Sequence, residues 1–104
     1  HLLYTRALIF NKESKPEHRY SGVHYMRSPD GGKTWETGGR RLAIPTDLTT
    51  PQKVYLPEQE GFGKELWGEC VAADARGAHI LYWGYDSRSR RHRPHYVCLD
   101  ARGN

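Results

Sequence analysis

Two cysteines and two histidines are the residues of this chain whose types could most directly do chemistry. Cys70 and Cys98 are the only cysteines among the 104 residues, and His79 and His95 fall near them along the chain. An even count permits a disulfide, free thiols are often buried in a β core, and two sulfurs with an imidazole suit structural zinc. We favour buried free thiols, then a disulfide, and zinc last because no Cys-x-x-Cys pair is present. No cofactor is therefore predicted.

Basic residues exceed acidic ones by sixteen to twelve, which gives a net charge of +4. The excess is local: Arg40 and Arg41 are adjacent, and the run 88–93 holds four arginines and a histidine. We interpret the run 88–93 as a solvated loop, because neither a helix nor interleaved aromatic residues surround it. The charge allows an anionic partner. It does not indicate nucleic acid, and no apolar run approaches the roughly 18 residues of a membrane span.

The segment 28–35, Ser-Pro-Asp-Gly-Gly-Lys-Thr-Trp, predicts a sharp turn between two strands. Proline fixes φ, aspartate can accept hydrogen bonds from N–H groups ahead of it, and two glycines accept positive φ. A tryptophan just past the turn can fold its ring under the hairpin while the turn closes on the aspartate. We expect the following residues to be scaffold: Ser28, Asp30, Gly32, Thr34 and Trp35.

The elements before residue 45 are expected to be strands. Leu2 to Phe10 is rich in β-branched and aromatic residues, whereas Asn11 to Arg19 is polar, contains proline and is predicted to be a loop. From Tyr20 to Ser28, successive side chains would point to opposite faces, as in a β-strand. After the turn, Thr34 to Thr37 predicts a short strand and Arg40 to Ile44 an extension of the sheet. These four pieces would form one antiparallel sheet.

The second half of the chain predicts a long connection and then another sheet. Pro45 to Gly63 is rich in proline and glycine, with only Lys53 to Leu56 typical of a strand. The turn Asp74-Ala75-Arg76-Gly77 is expected to lie between strands. These strands are predicted at Glu69 to Ala73, Ala78 to Tyr85 and Pro94 to Asp100. Since no segment has a helical period, the fold class is all-β.

Segment 28–35 also fills every fixed position of the pattern Ser-x-Asp-x-Gly-x-Thr-Trp, the Asp-box or BNR repeat. It resembles the hairpin motif of sialidases and other carbohydrate-active β-propellers. Together with 24–28 and with 71–83, Val-Ala-Ala-Asp-Ala-Arg-Gly-Ala-His-Ile-Leu-Tyr-Trp, it is similar to the fourth group of BNR-repeat proteins, over roughly residues 20 to 100. The resemblance implies a sialidase-like, seven-bladed propeller of four-stranded antiparallel blades.

A propeller blade takes roughly 40 to 50 residues, so a chain of 104 residues is too short for a closed propeller. We expect a fragment of about two blades, which would be inactive without the remaining blades of the full-length protein. Residues 1–44 would form one blade with the Asp-box hairpin, 45–67 the connection between blades, and 68–104 an incomplete second blade.

The same group is similar to polysaccharide lyases that cleave ulvan, an acidic algal polysaccharide. That resemblance implies β-elimination at a uronic acid, in which a base removes a proton, an acid protonates the leaving oxygen and a cation neutralises the carboxylate. The tyrosine before the Asp-box and the arginine about 16 residues later carry over onto Tyr25 and Arg41, with Arg40 as a neighbouring substrate-binding candidate. The lead-in 20–22, Tyr-Ser-Gly, lacks the histidine of such lyases.

Two other functions stay open. A sialidase needs an arginine triad and a Phe/Tyr-Arg-Ile-Pro signature, which the sequence around Arg6 does not match. A non-catalytic carbohydrate-binding propeller would stack sugar faces on Trp83, Tyr85 and Trp67, with Trp83 as the substrate-binding candidate. The resemblance favours an enzyme acting on an acidic polysaccharide, lyase before hydrolase, in an extracellular or periplasmic setting.

Overall fold

A computed structural model describes residues 1–12, 15–47, 50–60 and 64–100, with the backbone alone over 6–12 and 15–21. Within these residues there are eight strands and one 3-10 turn. The strands are β1 (Leu2–Lys12), β2 (Lys15–Met26), β3 (Glu36–Thr37), β4 (Arg40–Arg41), β5 (Gln52–Lys53), β6 (Trp67–Asp74), β7 (Gly77–Asp86) and β8 (Arg91–Asp100), and the turn is Pro57–Gln59. The predicted all-β class is confirmed. No described helix is long and apolar enough to cross a bilayer.

The first sheet is antiparallel and has the order β1-β2-β5. The loop predicted over Asn11 to Arg19 is wrong for its described residues, because β1 continues to Lys12 and β2 begins at Lys15. Residues 13 and 14 of that prediction lie outside the described residues. Polar residues can form a strand here because backbone pairing between β1 and β2, such as that of Asn11 with Pro16, holds the two strands together. Proline has no N–H to donate. At this end, β2 pairs with β1 alone among the described strands, so the edge of β2 that faces away from β1 needs no hydrogen-bond donor.

The Asp-box hairpin forms a second, small sheet of β3 and β4. The prediction of one four-stranded sheet from the first four pieces is therefore wrong in detail: β5, from the predicted connection, takes the third place beside β2. A bridge between Arg27 and Glu36 still ties β3 to the end of β2. The buried Thr37 hydroxyl strengthens the junction, donating to the Tyr25 carbonyl at 3.1 Å and accepting from the Gln52 N–H at 2.7 Å.

The third sheet is the meander β6-β7-β8. The predicted turn Asp74-Ala75-Arg76-Gly77 is confirmed, because Asp74 and Gly77 form the last pair of the β6-β7 ladder. The predicted arginine-rich loop is only partly correct: residues 87–90 turn, but β8 already begins at Arg91. The arginines at 91 and 93 lie in β8 and are still solvated, because β8 is the edge strand of this sheet and both side chains are exposed.

The hydrophobic core lies between the first and third sheets. Its buried members are Val23, Tyr25, Val54, Leu66, Ala78, Ile80, Tyr82 and Leu99. The two sheets are in close contact at Gly68, where an added Cβ would lie 2.8 Å from Leu3 Cδ2. The Gly68 N–H also donates to the Thr5 hydroxyl at 2.7 Å, so a hydrogen bond fixes the same contact. The core thus determines how β6 lies against β1 and β2.

Candidate active site

The Asp-box turn is held by two side chains that bond to its backbone. Asp30 Oδ1 accepts from the Thr34 N–H at 2.8 Å, and Oδ2 accepts from the Thr34 hydroxyl at 2.7 Å. Ser28 Oγ accepts from the Gly32 N–H at 2.7 Å and donates to Asp30 at 2.9 Å. Gly31 and Gly32 have φ of 70° and 94°, as the sequence predicts. The carboxylate is therefore committed to the turn, which agrees with a scaffold role.

The hydrogen bonds to Asp30 also change its titration. The Thr34 hydroxyl and the Thr34 N–H, in that order, lower the pKa of the Asp30 carboxyl.

Trp35 takes part in the turn through its carbonyl oxygen, which accepts a hydrogen bond from the Leu42 N–H at 2.8 Å, and its side chain is half-buried.

Tyr25 is the centre of the candidate site. Its side chain is buried in the core between the first and third sheets, and its hydroxyl lies 2.7 Å from Nδ1 of His1. The two rings are stacked, with centroids 6.0 Å apart. Burial raises the pKa of Tyr25, while Arg27 lowers it and Glu36 raises it. The phenol is therefore neutral at ordinary pH, and the exposed His1 is the member of the pair that faces solvent.

A row of charged residues continues from Tyr25. Arg27 lies two residues further along the chain, pairs across the bridge with Glu36, and forms an ion pair with it at 2.5 Å. Glu36 in turn pairs with Arg41 in the β3-β4 hairpin. Because directly opposed residues of antiparallel strands share a face, Arg41 belongs to this row.

The neighbouring Arg40 pairs with Thr37 and therefore lies on the opposite face of the hairpin from Arg41. Both arginines are exposed. The sequence leaves open which of them accompanies Tyr25, since a shift of one residue exchanges their faces. The register associates Arg41 with the Tyr25 row.

Sequence reasoning missed His1, which contacts Tyr25, and His24, which precedes Tyr25 in β2. The only available signal for His1 is its position opposite the end of β2, which requires the β1-β2 register. His24 is buried on the other face of β2, where Nδ1 lies 2.9 Å from the Pro51 carbonyl oxygen and the ring stacks on Tyr4. These contacts make His24 a packing residue.

The aromatic candidates come together on one face of the third sheet. Trp67 and Trp83 are cross-strand partners whose rings stack with centroids 5.9 Å apart. Trp67 also stacks on His92 at 5.8 Å, and Tyr85 meets His92 edge-on. All four side chains are partly exposed. The residues predicted to contact sugar thus form a continuous aromatic platform.

The cysteines are exposed free thiols, so the expectation of buried thiols is wrong. Cys70 pairs with Leu81 and Cys98 with His79, which places both sulfurs on the same face of the third sheet with β7 between them. Strands two apart are separated by about 9.6 Å, beyond the reach of a disulfide. His95 pairs instead with the buried Tyr82, on the other face. Among the described residues no three metal-ligating side chains cluster.

The face that carries the thiols holds a chain of polar contacts. His79 Nδ1 lies 2.6 Å from the Tyr96 hydroxyl, and Nε2 lies 3.0 Å from an oxygen of Asp74. Asp74 also accepts from the N–H and guanidinium of Arg76, and these bonds hold the pKa of its carboxyl far below the usual range. The cluster closes the β6-β7 turn.

Comparison with protein-family models, curated proteins and solved structures gave no match to this chain.

Proposed function

We propose that this chain is part of a carbohydrate-active β-propeller of the Asp-box type and that the protein acts on an acidic polysaccharide outside the cytoplasm. The reaction we propose is β-elimination beside a uronic acid, with glycoside hydrolysis as the other reaction class. The observation that carries the proposal is the 2.7 Å contact between the Tyr25 hydroxyl and His1 Nδ1, in a row that leads to Arg41. The closed Asp-box turn supports the resemblance on which the substrate class rests.

In the proposed reaction His1 touches the substrate and Tyr25 acts through it. With Nδ1–H donating to the Tyr25 hydroxyl oxygen, Nε2 carries the lone pair that takes the C5 proton of the uronic acid. The electron pair of that C–H bond forms the C4–C5 double bond as the C4–O bond breaks, and the imidazolium returns its proton to the leaving oxygen. This sequence needs no co-reactant.

Arg41 has a separate part in the proposal. Removal of the C5 proton places negative charge on the uronic carboxylate, and a fixed cation lowers the cost of that charge. Arg41 is exposed, so it can pair with a carboxylate in two-point geometry. Arg40, on the opposite face, offers a control of equal charge.

The test is to incubate the full-length protein with a panel of uronic-acid polysaccharides and follow the ultraviolet absorbance of the unsaturated product. We expect a rise on one polymer. His1→Gln and Tyr25→Phe should each lower turnover by about 100-fold or more. Arg41→Ala should lower it far more than Arg40→Ala does. A flat trace with release of reducing ends would favour a hydrolase, and full activity of Tyr25→Phe would contradict the role of the pair.

A non-catalytic carbohydrate-binding protein is the second candidate, and the stacked Trp67 and Trp83 favour it. Flat aromatic surfaces bind ligands through area at small conformational cost. In this case the panel would give neither product, while binding measured by calorimetry would be lost in Trp83→Ala and kept in Tyr25→Phe.

A further inference from the structure

A cavity of about 330 Å³ lies between the 3-10 turn and the end of the β7-β8 hairpin, and it does not include Tyr25 or Arg41. Its lining residues are Leu56, Glu58, Gln59, Tyr85, Asp86, Ser87, Arg88 and His95. Small-molecule sites are commonly concave, contain roughly 300 to 1,000 Å³ and combine aromatic surface with a few placed polar groups. The volume is thus at the lower end of that range, which suits a single ring.

The inner wall of this cavity is a bonded polar network around Gln59. The Gln59 side chain is only 1% exposed, and its Oε1 accepts from the Leu56 N–H at 3.1 Å and from the Tyr82 hydroxyl at 2.9 Å. Because a backbone N–H can only donate, this bond fixes which end of the amide is oxygen. The Gln59 NH2 group therefore faces His95, with Nε2 to Nε2 at 3.1 Å.

The same network holds the ring of His95 in place. Its Nε2 lies 3.1 Å from the Gln59 amide nitrogen and 3.3 Å from the Gly84 carbonyl oxygen. The ring also stacks on Tyr82, with centroids 5.2 Å apart. These contacts fix the position of a ring that lines the cavity.

The remaining lining groups include both donors and acceptors. Arg88 and Ser87 bring a guanidinium and a hydroxyl, while Glu58 brings a carboxylate. Asp86 is already used, since it accepts from the Arg88 N–H at 3.0 Å and the Ser89 hydroxyl at 2.7 Å. A free anion would meet the Glu58 charge and a free cation the Arg88 charge. A neutral molecule with several hydroxyl groups can donate to one and accept from the other.

We infer that this cavity binds one neutral sugar ring, with Arg88 and Ser87 as donors and Glu58 as an acceptor. The Tyr85 ring lines one side, and Lys64 Nζ lies 5.9 Å from its centroid. The inference goes beyond the proposed function because the site shares no residue with the Tyr25 row. A ligand of about a dozen heavy atoms should bind with a Kd on the order of 1 mM.

The experiment is to titrate the full-length protein with methyl α-glucoside, methyl α-galactoside and inorganic phosphate, following the NMR shifts of the Ser87 and Arg88 amides. We expect one glycoside, and not phosphate, to move these signals. Because Arg88 is exposed, the Arg88→Ala variant should fold. It should bind the glycoside about tenfold more weakly, because a charged hydrogen bond is lost. Arg91→Ala removes the same charge from a residue that does not line the cavity, and it should leave Kd unchanged.

Several results would overturn the inference. One is the absence of shifts at glycoside concentrations about a hundredfold above the expected Kd. Others are displacement of the glycoside by phosphate and equal weakening by Arg88→Ala and Arg91→Ala. A failed lyase assay with successful titration would overturn only the proposed function.

Discussion

The central strands of the two larger sheets are buried in different ways. In β2, neighbouring residues are buried on both faces: Val23 lies in the core and His24 is buried behind the sheet. In β7, Ile80 is fully buried whereas the next residue, Leu81, is 40% exposed. A strand with alternating burial has one covered face, while a strand with continuous burial has two. The third sheet therefore has an open face that the first sheet lacks along β2.

The largest effect in this comparison is expected at the start of β7. Gly77 has φ of 140°, and an added Cβ would lie 1.9 Å from the Leu99 carbonyl oxygen. Gly77→Ala should lower the free energy of unfolding by about 4 kcal/mol, from backbone strain and overlap together. Chemical denaturation measures this. At Gly39, φ is also positive but no atom lies within 4 Å of an added Cβ, so Gly39→Ala should cost about 1 kcal/mol. Equal costs for the two substitutions would mean that steric overlap does not cause the loss of stability in Gly77→Ala.

Adjacent alanine substitutions should separate the two strands next. Ile80→Ala should cost about 3 kcal/mol because it opens a cavity, and Leu81→Ala less than about 1 kcal/mol. In β2 both Val23→Ala and His24→Ala should cost more than about 1.5 kcal/mol. Urea denaturation of the four variants measures the pattern. A large cost for Leu81→Ala in the full-length protein would mean that its face is covered there.

The junction between β2, β3 and β5 should give a smaller effect. Thr37→Val keeps the shape of the side chain but removes the hydroxyl that bonds to Tyr25 and Gln52, at a cost of about 2 kcal/mol. Thr37→Ser keeps the hydroxyl and is the matched control. If both variants have the same thermal midpoint, the hydroxyl does not hold the junction.

The smallest effect is expected at the exposed Asp-box turn, and it depends on pH. The pKa of Asp30 is lowered in the folded state, so its stabilisation is complete above the unfolded pKa of about 4 and is lost as the pH falls through the folded pKa. Asp30→Asn should have a lower melting temperature than the wild type at neutral pH, and the two should converge in acid. Thr34→Ser, which keeps the hydroxyl donor, should follow the wild-type profile. A difference in melting temperature that stays constant across pH would contradict a stabilisation that depends on the charge of Asp30.

Turns were the most predictable part of this fold. The turns at 28–35 and 74–77 are determined by residues inside the turn, since Asp30 and Asp74 bond to N–H groups within a few residues. The strand β7, and β8 from Pro94 onwards, follow from local residue preference in the same way. Local chemistry of this kind is visible in a single sequence.

The errors concern properties that depend on distant partners. The polar arm 15–19 is a strand because β1 pairs with it, and no residue within the arm indicates this. The exposure of Cys70 and Cys98 depends on which face of the third sheet is covered. Whether Arg40 or Arg41 joins the Tyr25 row depends on one residue of register in a two-residue strand. The contact between Tyr25 and His1 likewise needs the full β1-β2 ladder.

The exposed thiols on the open face of the third sheet have a practical consequence. Cys70 and Cys98 flank β7 on that face, and each is accessible without any engineered change. A small alkylating reagent would therefore label both in this chain. In the full-length protein, the rate of that labelling would act as a native chemical gauge of whether another part of the molecule shields the face.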